Sequence, residues 1–167
     1  MDAQSKKTAL RMIPYGLYVL TSESASGRVA AATVNWVTQA SFEPPLVAVG
    51  VKKDSSAHEI IQESRAFALN VLGKGQQALA FKFFKALTRE GDTIGGEKFS
   101  KGASGAPILA STIAAIECRL VETIERGDHS IFLGEVVEAS VPTVPVGRAD
   151  DATLILKDLG ENTFYGG

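Results

Sequence analysis

Apolar residues along this chain change their spacing several times, and each change marks an element. Gly16–Ser22 (GLYVLTS) is rich in β-branched and aromatic residues and predicts a strand. Ser24–Gly27 predicts a turn, because Gly27 takes a positive φ at little cost, and Arg28–Thr38 predicts the returning strand of a hairpin. Leu46–Val51 is a continuous apolar run between Pro44-Pro45 and a polar segment, the pattern of a buried strand. Ser56-Ala57-His58-Glu59 matches a capping box, so a helix is expected over Ala57–Glu63, with Ile60 and Ile61 facing the core. Phe67–Leu72 (FALNVL) predicts the next strand.

Lys74–Leu87 carries Leu79, Phe83 and Leu87 at four-residue spacing and predicts the longest amphipathic helix, although Lys82 and Lys85 interrupt its face. Thr88–Gly105 holds five glycines among many charges and predicts a long loop. Thr112–Thr123 and Ser130–Val141 are the longest strand candidates. Ala114, Ile116, Cys118 and Leu120 share one face of the first, and Arg126-Gly127-Asp128 joins the two in a tight hairpin. Ser5–Met12 predicts a short entry helix that stops before Pro14. Pro142–Asp151 reads as a loop, Thr153–Leu156 as a last short strand and Asn162–Gly167 as a glycine-ended tail. Several strands joined by hairpin-like turns, with two substantial helices, predict a mainly β (α+β) chain: a β-barrel with flanking helices.

Composition narrows the classes. A chain of 167 residues, 45% hydrophobic and 22% charged, reads as a single domain spanning 1–167. The net charge of -2, with no basic run, gives no support for nucleic-acid binding. No apolar run reaches membrane-spanning length, and MDAQSKKTALRM lacks the apolar stretch of a secretion signal. The single cysteine, Cys118, excludes an internal disulfide and fits a reducing compartment. A cytoplasmic location is the expectation.

Candidate chemistry comes down to two places. Gly73-Lys74-Gly75-Gln76-Gln77-Ala78 has dinucleotide-fingerprint spacing, but no second parallel strand with an acidic end follows, so a helix-entry turn explains it better. Two histidines and one cysteine do not compose a metal set, and no G-x-S-x-G elbow occurs. Cys118, in mid-strand on an apolar face, reads as a core residue. What remains is Lys52, Lys53, Ser55 and Ser56 at a helix entrance, groups suited to a phosphate, and His129 beside Asp128 at a hairpin.

Taken in order, PYGLYVLTS, ATVNWVTQASFEPPL, SAHEII, FALNVL, GAPIL, IECRL, GDHSIFLGEV and the closing YGG resemble the flavin reductase-like, FMN-binding split-barrel family. NWVTQASFEPP is similar to the flavin reductase module of flavodiiron proteins and to flavoredoxins. The resemblance implies a six-stranded antiparallel, Greek-key-like split barrel that forms a homodimer with FMN near the interface. It places Thr33, Asn35, Trp36, Val37 and Thr38 along the flavin ring, Ser41 near the flavin tail, and Lys52, Lys53, Ser55 and Ser56 on the phosphate. It gives His129 the position where a nicotinamide approaches, and it brings Lys82, Phe84 and Tyr165 toward the same pocket or that of the partner subunit. The activity implied is hydride transfer from NAD(P)H to flavin N5, with electrons passed to an acceptor. Where reductases of two-component monooxygenases often carry a serine-rich segment, this chain has Asn35-Trp36-Val37. That departure favours an alternative, a flavoredoxin-like carrier reduced by a partner protein.

Overall fold

Two residues, Asn35 and Trp36, decide the shape of the main sheet in the computed structural model, which describes residues 1–167. The stretch expected as one strand over Arg28–Thr38 divides there into β2 (Val29–Val34) and β3 (Val37–Ser41). With β1 (Tyr18–Glu23), β4 (Leu46–Lys52), β5 (Ala66–Val71), β10 (Ala114–Glu125) and β11 (His129–Ser140), they form a seven-stranded sheet in the order β2-β1-β5-β10-β11-β4-β3. β2 and β3 therefore occupy opposite edges, yet only the Asn35-Trp36 corner separates them in sequence. Three residue steps reach at most about 11 Å. The sheet must curl until its edges nearly meet, which makes a split barrel. The expected six strands become seven because one of them serves both edges.

All pairings in this sheet are antiparallel, which removes the Rossmann option. Alternation along β1 buries both faces. Leu20 enters a core with Val49, Ile61, Phe67, Cys118 and Phe132, whereas Val19 enters a second core with Leu17, Leu72, Phe83, Ile94 and Leu154. The first core fills the barrel and is closed by α2 (Ser56–Ser64), which buries Ala57, Ile60 and Ile61. The second lies between the sheet and α3 (Gln77–Lys82) with the segments around it.

Four local expectations are corrected. The helix expected over Lys74–Leu87 is only Gln77–Lys82. Thr33 intervenes: its N–H donates to the Phe83 carbonyl at 3.0 Å and its hydroxyl to the Ala80 carbonyl at 2.7 Å. The Ala80 carbonyl is the one a further turn would need for Phe84, whose N–H bonds Phe81 instead. The segment expected as a loop over Thr88–Gly105 contains β6 (Arg89–Glu90), β7 (Thr93–Ile94) and β8 (Glu97–Lys101), which with β9 (Pro107–Leu109) make a four-stranded side sheet. Gly95 and Gly96, at φ +57° and +79°, form the two-residue turn between β7 and β8, a geometry that requires positive φ at both positions.

The N-cap of α2 is Ser55 rather than Ser56; Ser55 Oγ accepts from the His58 N–H at 3.2 Å. Thr153–Leu156 makes isolated bridges, Thr153 to Gly73 and Ile155 to Gly16, in place of a strand. Two short 3-10 helices, Ala149–Ala152 and Leu156–Leu159, were not expected; α1 (Ala3–Arg11) and the β10–β11 hairpin through Arg126–Asp128 follow expectation. No helix is long and apolar enough to cross a membrane.

Candidate functional site

A cleft of about 340 Å³ opens at the rim of the barrel, within the range of small-molecule sites. Its apolar wall comes from Leu17, Ala32, Val34 and Val51, with Phe83 and Phe84 arriving after α3 and Leu156 from the C-terminal region. Its polar groups are Thr33, Asn35, Lys52, Ser55 and Tyr165. The curl that brings β2 beside the end of β4 is what places Thr33 and Asn35 opposite Lys52.

At the basic end, β4 runs out at Lys52 and Ser55 begins α2. First-turn N–H groups of a helix have no acceptor within it, and the helix dipole adds positive character there. Lys52 Nζ pairs with Asp54 at 3.1 Å, and this hydrogen bond raises the lysine pKa, keeping it cationic. The Ser55 hydroxyl is engaged locally: it accepts from His58 N–H and donates to the Lys52 carbonyl at 2.7 Å. An anion at this end would therefore meet the ammonium and backbone N–H groups before any free serine donor. Lys53 and Ser56 are exposed beside this end and do not line the cleft.

The other flank is aromatic. Trp36 packs on His129 with ring centroids 4.5 Å apart and on Tyr165 at 5.4 Å. Gly50 makes room for the indole, since a Cβ there would stand 3.0 Å from its ring. Trp36 Nε1 is buried without a hydrogen-bond partner. His129 stands opposite Lys52 in the β11–β4 register, and its side chain is only 14% exposed. Its Nδ1 is 2.9 Å from Asp128 Oδ1 and its Nε2 is 2.7 Å from the Tyr165 hydroxyl oxygen. Burial pushes the Tyr165 phenol pKa up, with Lys52 acting in the opposite direction.

Of the residues expected at a ligand, Thr33, Asn35, Lys52 and Ser55 line one cleft, and His129 touches it through Tyr165. Thr33 is also the tether of α3, and Asn35, 5% exposed, donates to the Tyr165 carbonyl at 3.3 Å. Val37 is half-buried and packs against the barrel core. Thr38 is exposed, with its hydroxyl bonded to the Gln39 carbonyl, and Ser41 sits at the far end of β3. Neither lines the cleft. Phe84 and Tyr165 do, while Lys82 is occupied by an ion pair with Glu97. The apolar wall was missed from sequence, because Leu17, Phe83 and Leu156 look like any other core residues.

Outside the cleft, His58 is buried, 2.8 Å from Ser130 Oγ and 3.8 Å from a Glu125 carboxylate oxygen. Burial lowers its pKa, with Glu125 opposing. Cys118 is fully buried and its thiol is pushed up to about 12, as befits a core residue. No group of three or more His, Cys, Asp or Glu side chains is placed to hold a metal ion.

Comparison with known proteins adds a family. A model of the flavin reductase like domain matches residues 10–155. High molecular weight rubredoxin of Moorella thermoacetica is 36% identical over 138 residues, covering 80% of this chain and 58% of that protein, so this chain spans little over half its length. FMN reductase (NADH) SmoA of Agrobacterium fabrum is 32% identical over 139 residues, 83% of this chain and 77% of that one. Among solved structures, the NADH:FAD oxidoreductase SgcE6 of Streptomyces globisporus superposes with a TM-score of 0.71 at 32% identity, covering 83% of this chain and 81% of that chain.

Proposed function

This chain belongs to the flavin reductase-like domain family, and on that footing we propose that it is an FMN-binding oxidoreductase that takes electrons from NAD(P)H and passes them to an acceptor. The observation that carries the reading is the two-sided cleft: a largely apolar wall and a cationic helix entrance at one end. The residues present fit the cofactor. The donor set at the cleft's end, the Lys52 ammonium and the first-turn N–H groups of α2, is the chemistry a phosphate takes. FMN, when bound, supplies a ring that accepts hydride at N5.

The chain's own residues would do the rest. Lys52 and the first-turn N–H groups of α2 would hold the phosphate, with Ser55 fixing that turn and Lys53 and Ser56 adding outer contacts. Thr33 from β2 and Asn35 from the corner after it would face the ring system, with Trp36, Val37, Thr38 and Ser41 behind them, outside the cleft wall, reaching the flavin ring and tail through backbone groups or on the partner's side. His129, held by Asp128 and shielded by Trp36, would meet the nicotinamide. Relatives bearing the names FMN reductase (NADH) and ferric-chelate reductase (NAD(P)H) support the donor and the reaction class.

We further propose a homodimer. Ile124 and Ile131, paired across β10 and β11 and 39% and 44% exposed, offer an apolar outer face with Val121. A protein electron partner accords with the rubredoxin and diflavin flavoprotein relatives. A cytoplasmic location accords with the single cysteine.

One observation favours the second reading, a carrier reduced by a partner protein. Trp36 covers one side of His129, narrowing the approach of a second substrate. Anaerobic stopped-flow mixing of FMN-loaded protein with NADH and with NADPH separates the two. Rapid bleaching of the oxidised flavin band is expected; a flavin that stays oxidised with both donors sinks the reductase reading. Light scattering checks the dimer, and a monomer at micromolar concentration removes it.

A further inference from the structure

Asp128, His129 and Tyr165 form a hydrogen-bonded series running from solvent into the cleft. Its direction can be worked out. The hydrogen bond from His129 holds the Asp128 carboxyl below its ordinary range, so it is ionised and can only accept. The shared hydrogen therefore sits on Nδ1 of His129, the ring nitrogen that faces Asp128. With one proton on the ring, Nε2 is an acceptor, and the Tyr165 hydroxyl, 2.7 Å away, is the donor to it. Its one hydrogen is then committed, and the phenol oxygen is left with acceptor capacity alone.

The phenol is held from several sides. Its ring packs on Trp36 and on His129, its carbonyl accepts from buried Asn35, and the next residue's carbonyl accepts from Arg11 Nε at 3.3 Å. Around it stand one ammonium, Lys52, and two carboxylates, Asp54 and Asp128. The acceptor oxygen disfavours an anionic substituent and favours one that brings N–H groups.

We propose that Tyr165 is a specificity-determining residue of the cleft, its oxygen fixed as an acceptor that selects a ring bearing a primary carboxamide over the same ring bearing a carboxylate. The inference rests on the reading above in which a nicotinamide dinucleotide enters this cleft. A site whose polar group matches an amide N–H leaves that group unpaired when the amide is replaced by an acid.

The test is equilibrium binding to the FMN-loaded protein, followed by perturbation of the flavin absorbance, with no turnover. The probes are oxidised nicotinamide adenine dinucleotide and its nicotinic acid analogue, against wild type and Tyr165→Phe. Phenylalanine keeps the ring against Trp36, and a wild-type far-ultraviolet circular dichroism spectrum with a cooperative thermal melt reports that the variant is folded. Wild type is expected to prefer the amide by about 10-fold, and Tyr165→Phe to bring the ratio close to one, chiefly by weakening the amide. A wild type that holds FMN and prefers the amide, with the same ratio in Tyr165→Phe, overturns the role of Tyr165 and leaves the functional reading standing. A wild type that holds FMN but binds neither dinucleotide overturns the nicotinamide reading and this inference with it. A wild type that does not hold FMN overturns the functional reading at its base.

Discussion

Gly50 and Trp36 are fitted to each other: the indole lies across the strand where Gly50 has no side chain, and an added Cβ would stand 3.0 Å from the ring and 3.2 Å from the Trp36 Cβ. The Trp36 carbonyl also accepts from the Gly50 N–H at 2.8 Å, so the corner is bound to β4 by backbone as well as by shape. Gly50→Ala must therefore displace an indole that His129 and Tyr165 hold from other sides. A loss of about 1–3 kcal/mol is expected, as for other overpacked positions. Urea denaturation measures it. A stability equal to wild type would mean that the indole moves freely.

Ser55 and Ser56 differ in consequence although they are neighbours. Ser55 caps α2, so Ser55→Ala should cost about 1 kcal/mol of stability. Ser56 is exposed and makes no side-chain hydrogen bond, so Ser56→Ala should change little. Thermal melts of the two variants, run side by side, decide whether the cap is where the structure places it. The opposite ranking would return the cap to Ser56.

Lys52 is the cleft's ammonium, and its side chain is 54% exposed, so its attraction for an anion is partly screened by solvent. Lys52→Ala should weaken FMN by about 10-fold and leave riboflavin, which lacks the phosphate, nearly unchanged. Wild-type affinity for FMN should also fall as salt is added, and the variant's should fall less. Equal losses for FMN and riboflavin would detach Lys52 from the phosphate.

His58 ties stability to pH with a definite sign. Its folded pKa lies below the ordinary value of 6.5 because burial disfavours the imidazolium. The unfolded chain therefore takes up a proton that the folded chain resists. The stability associated with the neutral ring is fully present above 6.5 and is lost as the pH falls from there toward the lower folded value. Urea midpoints at about pH 7.5 and about pH 5.5 should drop more for wild type than for His58→Gln. Identical drops would assign the acid sensitivity elsewhere.

The long strands were legible because their signals are local. β4, β5, β10 and β11 each carry apolar runs or alternation close to their observed bounds. The corner at Asn35-Trp36 was not, since AAATVNWVT alternates well enough to read as one strand, and only closure of the sheet breaks it. The overlong helix failed for a similar reason. Thr33, some fifty residues upstream, takes the carbonyls that its next turn needed. The side sheet escaped notice because two of its strands are two residues long, too short for any period to show.

The cleft was half legible. Lys52 and Ser55 announce themselves as a capped, basic helix start, and His129 stood out as a histidine beside an aspartate in a turn. The apolar wall had no sequence signal of its own. Tyr165 illustrates the limit: it reaches the cleft through contacts with Asn35 and His129, 130 and 36 residues away, which no local pattern announces.

Those long separations have a consequence for the order in which the molecule takes shape. Lys52 pairs with His129, Gly16 with Ile155, and Asn35 with Tyr165, so the cleft is sewn together from both ends of the chain. Loops that long must be closed before their contacts reward them, and pairing of this kind forms slowly. The hairpin β1–β2 can form early, but the cleft cannot exist until the last of its walls has been made. Ligand-binding competence should therefore be among the final properties acquired on refolding, lagging behind the recovery of far-ultraviolet strand signal. If binding returned together with that signal, the two ends would have to meet at the start.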